Sequence, residues 1–158
     1  MIRINKANME VINMFYPNKK FIKTLSEGER FTYLKIICGM IAMDKQVSQS
    51  ELAYLKEIAS KYAVTAESLA TMIKTANHDV LVKQARTIDN RIVALMLIKD
   101  LCMVANNDVE LCDEEIDYIL DIAEAMNIEA DRVRDINTAV NKYLALSEQL
   151  SELLESEY

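Results

Sequence analysis

At 158 residues and 18.0 kDa, the chain is long enough for one domain with a continuous core, and its two glycines and one proline predict an almost wholly helical protein. The net charge of −7 is uneven, because residues 1–79 carry +3 and residues 80–158 carry −10. Within the second half, residues 100–135 carry a net −10, so we expect their surface to repel a polyphosphate ligand and to attract a cation or a basic partner.

Four helices are predicted in the first half of the chain. The first covers residues 4–15 and ends before Pro17. Two capping boxes then mark helix starts, each a serine with a glutamate three residues later: Ser26 with Glu29, and Ser48 with Glu51. They begin helices that run to about residue 43 and over residues 52–62, and Thr65 caps the next helix.

The second half begins with a short predicted helix over residues 79–86, beside a cap at Asn77. A helix over residues 91–105 follows, capped by Asp89, and because it is apolar nearly all round we expect it at the centre of the fold. Apolar residues then recur at steps of three and four and predict the buried stripe of the next helix: Ile116, Ile119, Ala123 and Met126.

A long terminal helix is predicted over residues 131–152. Its buried face is expected to consist of Val133, Ile136, Val140 and either Tyr143 or Leu144. Four later leucines keep an apolar face while the segment turns acidic: Leu146, Leu150, Leu153 and Leu154. This end docks either on the core of its own chain or on a second copy, and we expect the former, which is the commoner outcome.

The chain contains an internal repeat. Residues 34–69 align without a gap on residues 98–133, at an offset of 64, with eight identities in 36 positions that include Cys38 with Cys102. The fold is therefore predicted to be all-α, a compact multihelical domain over residues 1–158 built from two duplicated helix-corner-helix-helix units.

Both units carry the pattern D-x-x-[VL]-x-x-x-E at the corner after their first helix: Asp44, Val47 and Glu51 in one unit, and Asp108, Leu111 and Glu115 in the other. These positions match the second half of a calcium-binding EF-hand loop. The first half of that loop lacks oxygen ligands, and its glycine is replaced by Lys45 or Val109. A standard EF-hand is therefore excluded.

Two interpretations of the corners stay open. In one, the acids only close one helix and cap the next. In the other, several carboxylates share a divalent cation, calcium or magnesium, and the candidate ligands are Asp44, Glu51, Asp108, Glu115, Asp113 and Asp117. Few oxygen ligands surround the first corner, which favours the caps there. Residues 100–135 carry a net −10, so both interpretations remain for the second corner.

The helix after the second corner is predicted to carry a row of acids on one face, Asp113, Asp117 and Asp121, where like charges repel. The helix N-terminus compensates Asp113, whereas Asp117 and Asp121 have no such compensation. We also expect Asp100 to lie close to this corner.

The two corner segments, IAMDKQVSQSELAYLKEIASKYAV and VANNDVELCDEEIDYILDIAEAMNI, resemble the TerB-like (tellurite-resistance protein B) family over residues 26–143. The family signature is A-x-A-D-G-x-[IV]-x-x-x-E, and its glycine is absent here. The resemblance implies a compact helical fold of two related halves and a role in bacterial stress response, in some members with chaperone-recruiting domains. It also implies divalent cation binding, through acids that fall on Asp44, Glu51, Asp108 and Glu115.

Catalytic motifs are missing from the sequence, which has no HExxH, GxSxG or glycine-rich phosphate loop. The single histidine, His78, is expected at the surface beside the Asn77 cap. We therefore expect no enzyme. Nucleic-acid binding is not expected either, because Lys19, Lys20 and Lys23 form a short basic link without a basic helix face.

Cellular location follows from the cysteines and the apolar runs. Cys38, Cys102 and Cys112 are odd in number and form no CxxC pair, which predicts reduced thiols. The longest apolar runs, residues 36–43 and 92–98, are too short to span a membrane, and no apolar signal core begins the chain. We expect a soluble cytoplasmic protein.

Two functional hypotheses result. The first is a TerB-like, non-enzymatic stress-associated protein whose acidic patch binds a divalent cation or a basic partner. The alternative is a protein-protein interaction module without a metal site, in which the corner acids serve only as helix caps. Its protein partner would be membrane-embedded or of the chaperone type. The oligomeric state is not predicted.

Overall fold

The structure, a computed structural model, describes residues 19–43, 49–106 and 112–155. Within these ranges the chain forms eight helices and no strand: α1 (Lys19–Thr24), α2 (Glu27–Met43), α3 (Gln49–Lys61), α4 (Ala66–Lys74), α5 (His78–Ala85), α6 (Arg91–Asn106), α7 (Asp113–Ala125) and α8 (Ala130–Glu155). The all-α prediction is confirmed. The predicted helix over residues 4–15 and the capping serine Ser48 lie outside the described residues.

Helices α2 and α6 form the centre of the fold. α2 contacts α4, α5, α6 and α7, while α6 also contacts α7 and α8. The most deeply buried apolar side chains of these two helices include Leu34, Ile37, Ile41, Leu97, Ile98 and Leu101. The prediction that the helix beginning at residue 91 is central is thereby confirmed, and its broad apolar surface is explained by its contacts with α2, α7 and α8.

Helix α2 needs a glycine where two other helices approach it. A Cβ atom at Gly39 would collide with the side chains of Leu81 on α5 and Tyr118 on α7. Tyr118 lies across α2 at this point, and its hydroxyl donates a hydrogen bond to the carbonyl of Ile36 at 2.7 Å. The missing side chain thus lets a buried tyrosine of the second unit reach the backbone of the first.

Three predicted helix caps are present in the structure. Ser26 and Glu29 form the reciprocal capping box at 3.2 and 3.4 Å, Thr65 accepts from the amide of Ser68, and Asn77 accepts from the amide of Val80. The predicted cap of α6 is wrong by one residue. Asn90, not Asp89, accepts hydrogen bonds from the amides of the two residues that follow Arg91, at 2.9 and 3.2 Å.

Helix bounds recur at the offset of 64 residues. The starts of α2, α3 and α4 at Glu27, Gln49 and Ala66 correspond to the starts of α6, α7 and α8 at Arg91, Asp113 and Ala130. Helices α3 and α7 also end at equivalent positions, Lys61 and Ala125. Equal spacing of this kind is what a duplication predicts. The duplication itself stays a prediction, which superposition of the two units would test.

Both α3 and α7 end in the same hydrogen-bonded turn. Ala63 and Asn127 have φ angles of 56° and 60°, in the left-handed region. The amide of the next residue, Val64 or Ile128, donates back to the carbonyl of Ala59 or Ala123 at 2.9 or 2.8 Å: this is the Schellman motif, which stops a helix and turns the chain.

Two predictions about buried faces need correction. Ile116 is 36% exposed, and the buried face of α7 consists of Tyr118, Ile119, Ile122 and Ala123, followed by Met126. In α8, Val133 and Val140 are buried as predicted, with Ile136, Tyr143 and Leu144 half-buried against the core. The expected docking of the terminal leucines on their own core is wrong: Leu146, Leu150, Leu153 and Leu154 are exposed by 55–77%.

Candidate ligand-binding surface of the second half

The first turn of α7 carries three acids, Asp113, Glu114 and Glu115, where the partial positive charge of a helix N-terminus stabilises carboxylates. Cys112 is the N-cap residue and its side chain makes no capping bond to the backbone. Its thiol instead donates to a carboxylate oxygen of Glu115 at 3.2 Å. Partial desolvation first, and then the carboxylates of Glu115 and Glu114, raise the pKa of this thiol.

The six candidate metal ligands do not all lie on one face of the described structure. Asp44 and Asp108 lie outside the described residues, and so does the side chain of Glu51. Asp113 and Asp117 share one exposed face of α7, whereas Glu115 is turned by roughly 160° from that face at about 100° per residue. In the described part of the chain, no three His, Cys, Asp or Glu side chains converge on a position that could hold a metal ion.

Asp121, which was predicted to lie beyond the stabilising helix N-terminus, has a side-chain partner on another helix. Its carboxylate lies 2.8 Å from Nε2 of His78, the first residue of α5. The imidazole also contacts the ring of Tyr118 edge-on, with 5.2 Å between centroids. His78 is therefore a half-exposed link between α5 and α7 and not merely a surface residue beside a cap.

Asp100 does not lie at the acidic corner but in the core, where it is only 4% exposed. It pairs with Lys99 and accepts a hydrogen bond from the hydroxyl of Tyr33 on α2. Tyr33 stacks on Tyr62, with ring centroids 5.8 Å apart. Burial, and then the negative charge of Asp100, raise the pKa of Tyr62. This buried network was not predicted from the sequence, because Asp100 was placed with the acidic residues that follow it in the chain.

An apolar cavity of about 250 Å³ lies between α7 and α8 and opens to solvent. Its lining includes Cys102, Ile116, Leu120, Ala130, Val133 and Asn137. Asn137 accepts a hydrogen bond of 2.7 Å from Asn106, the last residue of α6, so the cavity lies close to the second corner. The exposure of Ile116 is explained by its place in this wall.

The cavity has an acidic rim. Three exposed acids of α7 lie on the part of the helix surface next to the cavity wall, at about 100° per residue: Asp113, Asp117 and Glu124. On the α8 side, Arg134 lies in the wall and its guanidinium is 3.3 Å from the carboxylate of Asp131. An apolar depression is therefore bordered on its α7 side by carboxylates without a basic residue among them.

These features define an all-α domain with a buried polar network and an acidic surface around an apolar cavity. The chain belongs to the TerB family: the family model for tellurite resistance protein TerB matches residues 32–138, which is more than half of the chain. No curated protein matches it, and neither does any solved structure. Among the described helices, none combines the length and apolar character needed to cross a membrane.

Proposed function

We propose that this chain is a non-enzymatic binding protein of a cytoplasmic, tellurite-resistance-like stress response, and that the acidic second half binds a basic protein partner. The observation that carries the proposal is the apolar cavity between α7 and α8 with Asp113, Asp117 and Glu124 beside it. Residues 1–158 are taken as one domain in this proposal.

The cavity has the size of a single anchoring side chain. A dry apolar cavity of about 150 Å³ is known to hold a benzene-sized ligand, so the larger cavity here accommodates a leucine, methionine or phenylalanine. Drug-sized ligands occupy pockets of about 300 Å³ or more. A side chain from a partner protein therefore fits this cavity better than a free organic cofactor does.

The carboxylates around the cavity supply selectivity for basic residues. Lysines or arginines on either side of the anchoring side chain would meet a negatively charged surface. Such a surface raises the association rate of basic partners and disfavours the binding of acidic ones. Exposed charge pairs are worth little each and are screened by salt, so the apolar anchor must carry most of the affinity.

A random peptide library displayed on phage tests this proposal. We expect the wild type to enrich peptides that carry one large apolar residue flanked by lysine or arginine. Ala130→Leu, which fills the cavity, should weaken binding of these peptides at least about tenfold. The double variant D113N/D117N should weaken binding less and reduce its dependence on salt.

Asp79→Asn provides the matched control, because it removes an exposed carboxylate from α5, away from the cavity. It should leave peptide binding unchanged. Helicity by circular dichroism verifies that each variant is folded. The proposal fails if the selected peptides contain no basic residues, or if they bind the wild type and the cavity-filled variant equally well.

Divalent cation binding at the corners is the second candidate, with calcium or magnesium as the ion. The repeated acid spacing supports it, as does the pair Asp113 and Asp117 on one face of α7. Calorimetric titration with calcium, magnesium and zinc is the test, with D108N/E115Q as the variant that should lose the heat and E148Q as the control that should keep it. Absence of heat with all three ions would leave the corner acids as helix caps.

A further inference from the structure

The terminal part of α8 carries apolar side chains into solvent. Residues 145–155 are all exposed, and among them Leu146, Leu150, Leu153 and Leu154 are exposed by 65%, 55%, 66% and 77%. These four residues are called the leucine seam below. Their spacing of four, three and one residues places them within about 100° of one another around the helix.

The core of the same chain leaves the leucine seam exposed. Upstream, α8 packs through Val133, Ile136, Val140, Tyr143 and Leu144. At about 100° per residue, the centre of the leucine seam is turned by roughly 90° from the centre of that packed face. The seam is therefore centred to one side of the packed face, with Leu154 at the edge of that face, on the part of α8 where every residue is exposed.

Charge distinguishes between the possible occupants of the seam. The acids of this segment, Glu148, Glu152 and Glu155, lie on the side of the helix opposite the leucines, and residues 145–155 contain no lysine or arginine. A basic helix on the seam would gain little from acids that point away from it. An anionic lipid surface is a poor occupant as well, because residues 145–155 lack the lysines and arginines that bind such a surface. A second copy meets no repulsion, because its own acids also point outward.

We propose that the leucine seam is the contact of a homodimer, in which α8 packs against α8 of a second copy around a two-fold axis. The seam exposes on the order of 400 Å² of apolar surface, within the range of the largest and often functional patches on monomers. Two such seams together approach the lower limit of about 1,000 Å² for a specific interface. An isologous contact needs only this one patch, because both subunits supply it.

The recurrence of leucines at three- and four-residue steps suits the contact between two helices. Leu146, Leu150 and Leu153 are four and three residues apart, which is the a/d spacing of coiled-coil seams. The contact lies on α8 beyond the residues that line the cavity, so the cavity and its acidic rim stay accessible in the dimer. Dimerisation would then present two partner-binding surfaces at once.

Sedimentation equilibrium of the full chain tests the proposal. We expect a mass of twice 18.0 kDa in the micromolar range of concentrations, and a mass of 18.0 kDa for the double variant L146S/L150S. The control E148Q/E152Q changes the opposite face of the same turns and should remain dimeric. Folding of L146S/L150S is secured by the exposed position of both leucines and is measured by circular dichroism.

Two outcomes would overturn the dimer: the wild type is monomeric at the highest soluble concentration, or L146S/L150S is as dimeric as the wild type. If the wild type is monomeric and a thiol introduced by Leu150→Cys is shielded from a water-soluble reagent, another segment of the same chain covers the seam. These outcomes are independent of peptide binding at the cavity, which the seam variants should retain.

Discussion

The two units of the chain share the starts of their helices and differ in what they present to solvent. Their third helices show the difference most clearly. α4 begins at Ala66, ends at Lys74 and is followed by the separate helix α5. α8 begins at Ala130, which is equivalent to Ala66, and continues without a break to Glu155. The first unit thus closes on the core, and the second extends beyond it with the leucine seam. Helix starts and stops come from caps and turns, while surfaces are free to diverge.

Position 100 offers the most severe test of the comparison. Asp100 is equivalent to Ile36 of the first unit, and both are buried. We expect Asp100→Ile to destabilise the protein by about 3–5 kcal/mol, because it breaks the buried ion pair with Lys99 and removes the carboxylate that accepts from the Tyr33 hydroxyl. The free energy of unfolding in urea measures the effect. A loss below about 1 kcal/mol would show that the ion pair is not needed for stability.

The combination of Asp100→Ile with Lys99→Met sharpens this prediction. Replacing both members of a buried ion pair by apolar residues is often close to neutral. The double variant should therefore regain most of the stability that Asp100→Ile loses.

Gly39 is a place where Tyr118 of the second unit closely approaches the backbone of the first. We expect Gly39→Ala to cost about 1–3 kcal/mol, because the new Cβ collides with Leu81 and Tyr118. Gly28→Ala in the same helix meets no atom within 4 Å and should stabilise by up to about 1 kcal/mol, since alanine is the better helix former. Thermal unfolding of both variants measures the contrast, and equal shifts would contradict the close approach.

The equivalent cysteines Cys38 and Cys102 predict a loss of stability in alkali. Burial raises the pKa of both thiols to about 12, from an ordinary value of 9.0. The protonated thiols therefore contribute their full stability below pH 9, and this contribution is lost as the pH rises from about 9 toward 12. Each thiol accounts for up to about 1.4 kcal/mol per pH unit within that window.

Urea unfolding as a function of pH checks the alkaline prediction. The slope of the unfolding free energy between pH 9 and 11 should be smaller in C38A/C102A than in the wild type, whereas C112A should change the slope less than C38A/C102A does, since Cys112 is exposed. An Ellman titration of the folded protein should detect only Cys112 rapidly. Fast reaction of either buried thiol would contradict the burial.

The caps of the two central helices predict a smaller effect. Asn90 accepts from two amides at the start of α6 and is equivalent to Ser26, the cap of α2. Asn90→Ala should cost about 1 kcal/mol, and Asp89→Ala should change the unfolding free energy by only a few tenths. A larger loss from Asp89→Ala than from Asn90→Ala would restore the sequence-based choice of Asp89.

The Asn90 cap illustrates what the sequence allowed and where it was misread. The central helices and most caps followed from local rules, because capping side chains act within three residues, whereas the short helix α1 was not predicted. Asp89 and Asn90 are both good capping residues. The repeat favours Asn90 only when its alignment is extended from Leu34 toward the N-terminus by eight residues, where Asn90 aligns with Ser26. Local pattern alone does not distinguish adjacent caps.

The candidate site was less accessible from sequence than the fold. The sequence gives the number of acids but not their hydrogen-bond partners, because the partners are distant in sequence. Asp121 pairs with His78, and Asp100 pairs with Tyr33. The apolar cavity arises from the way two helices pack, and a stripe pattern treats an exposed wall residue such as Ile116 as part of the core. Long-range packing, and not composition, decides these features.

The helix ends of α3 and α7 give the finest comparison between the units. In both units the chain turns through a residue in the left-handed conformation, which is Ala63 in the first unit and Asn127 in the second. A left-handed conformation costs an ordinary L-residue about 1–2 kcal/mol, and asparagine tolerates it better than alanine does. Ala63→Gly should therefore stabilise by about 1 kcal/mol and Asn127→Gly by less, as judged by urea unfolding. If both substitutions have equal effects, the two turns are not strained in the way their φ angles indicate; if Ala63→Gly destabilises, the Schellman turn after α3 is not the conformation that closes the first unit.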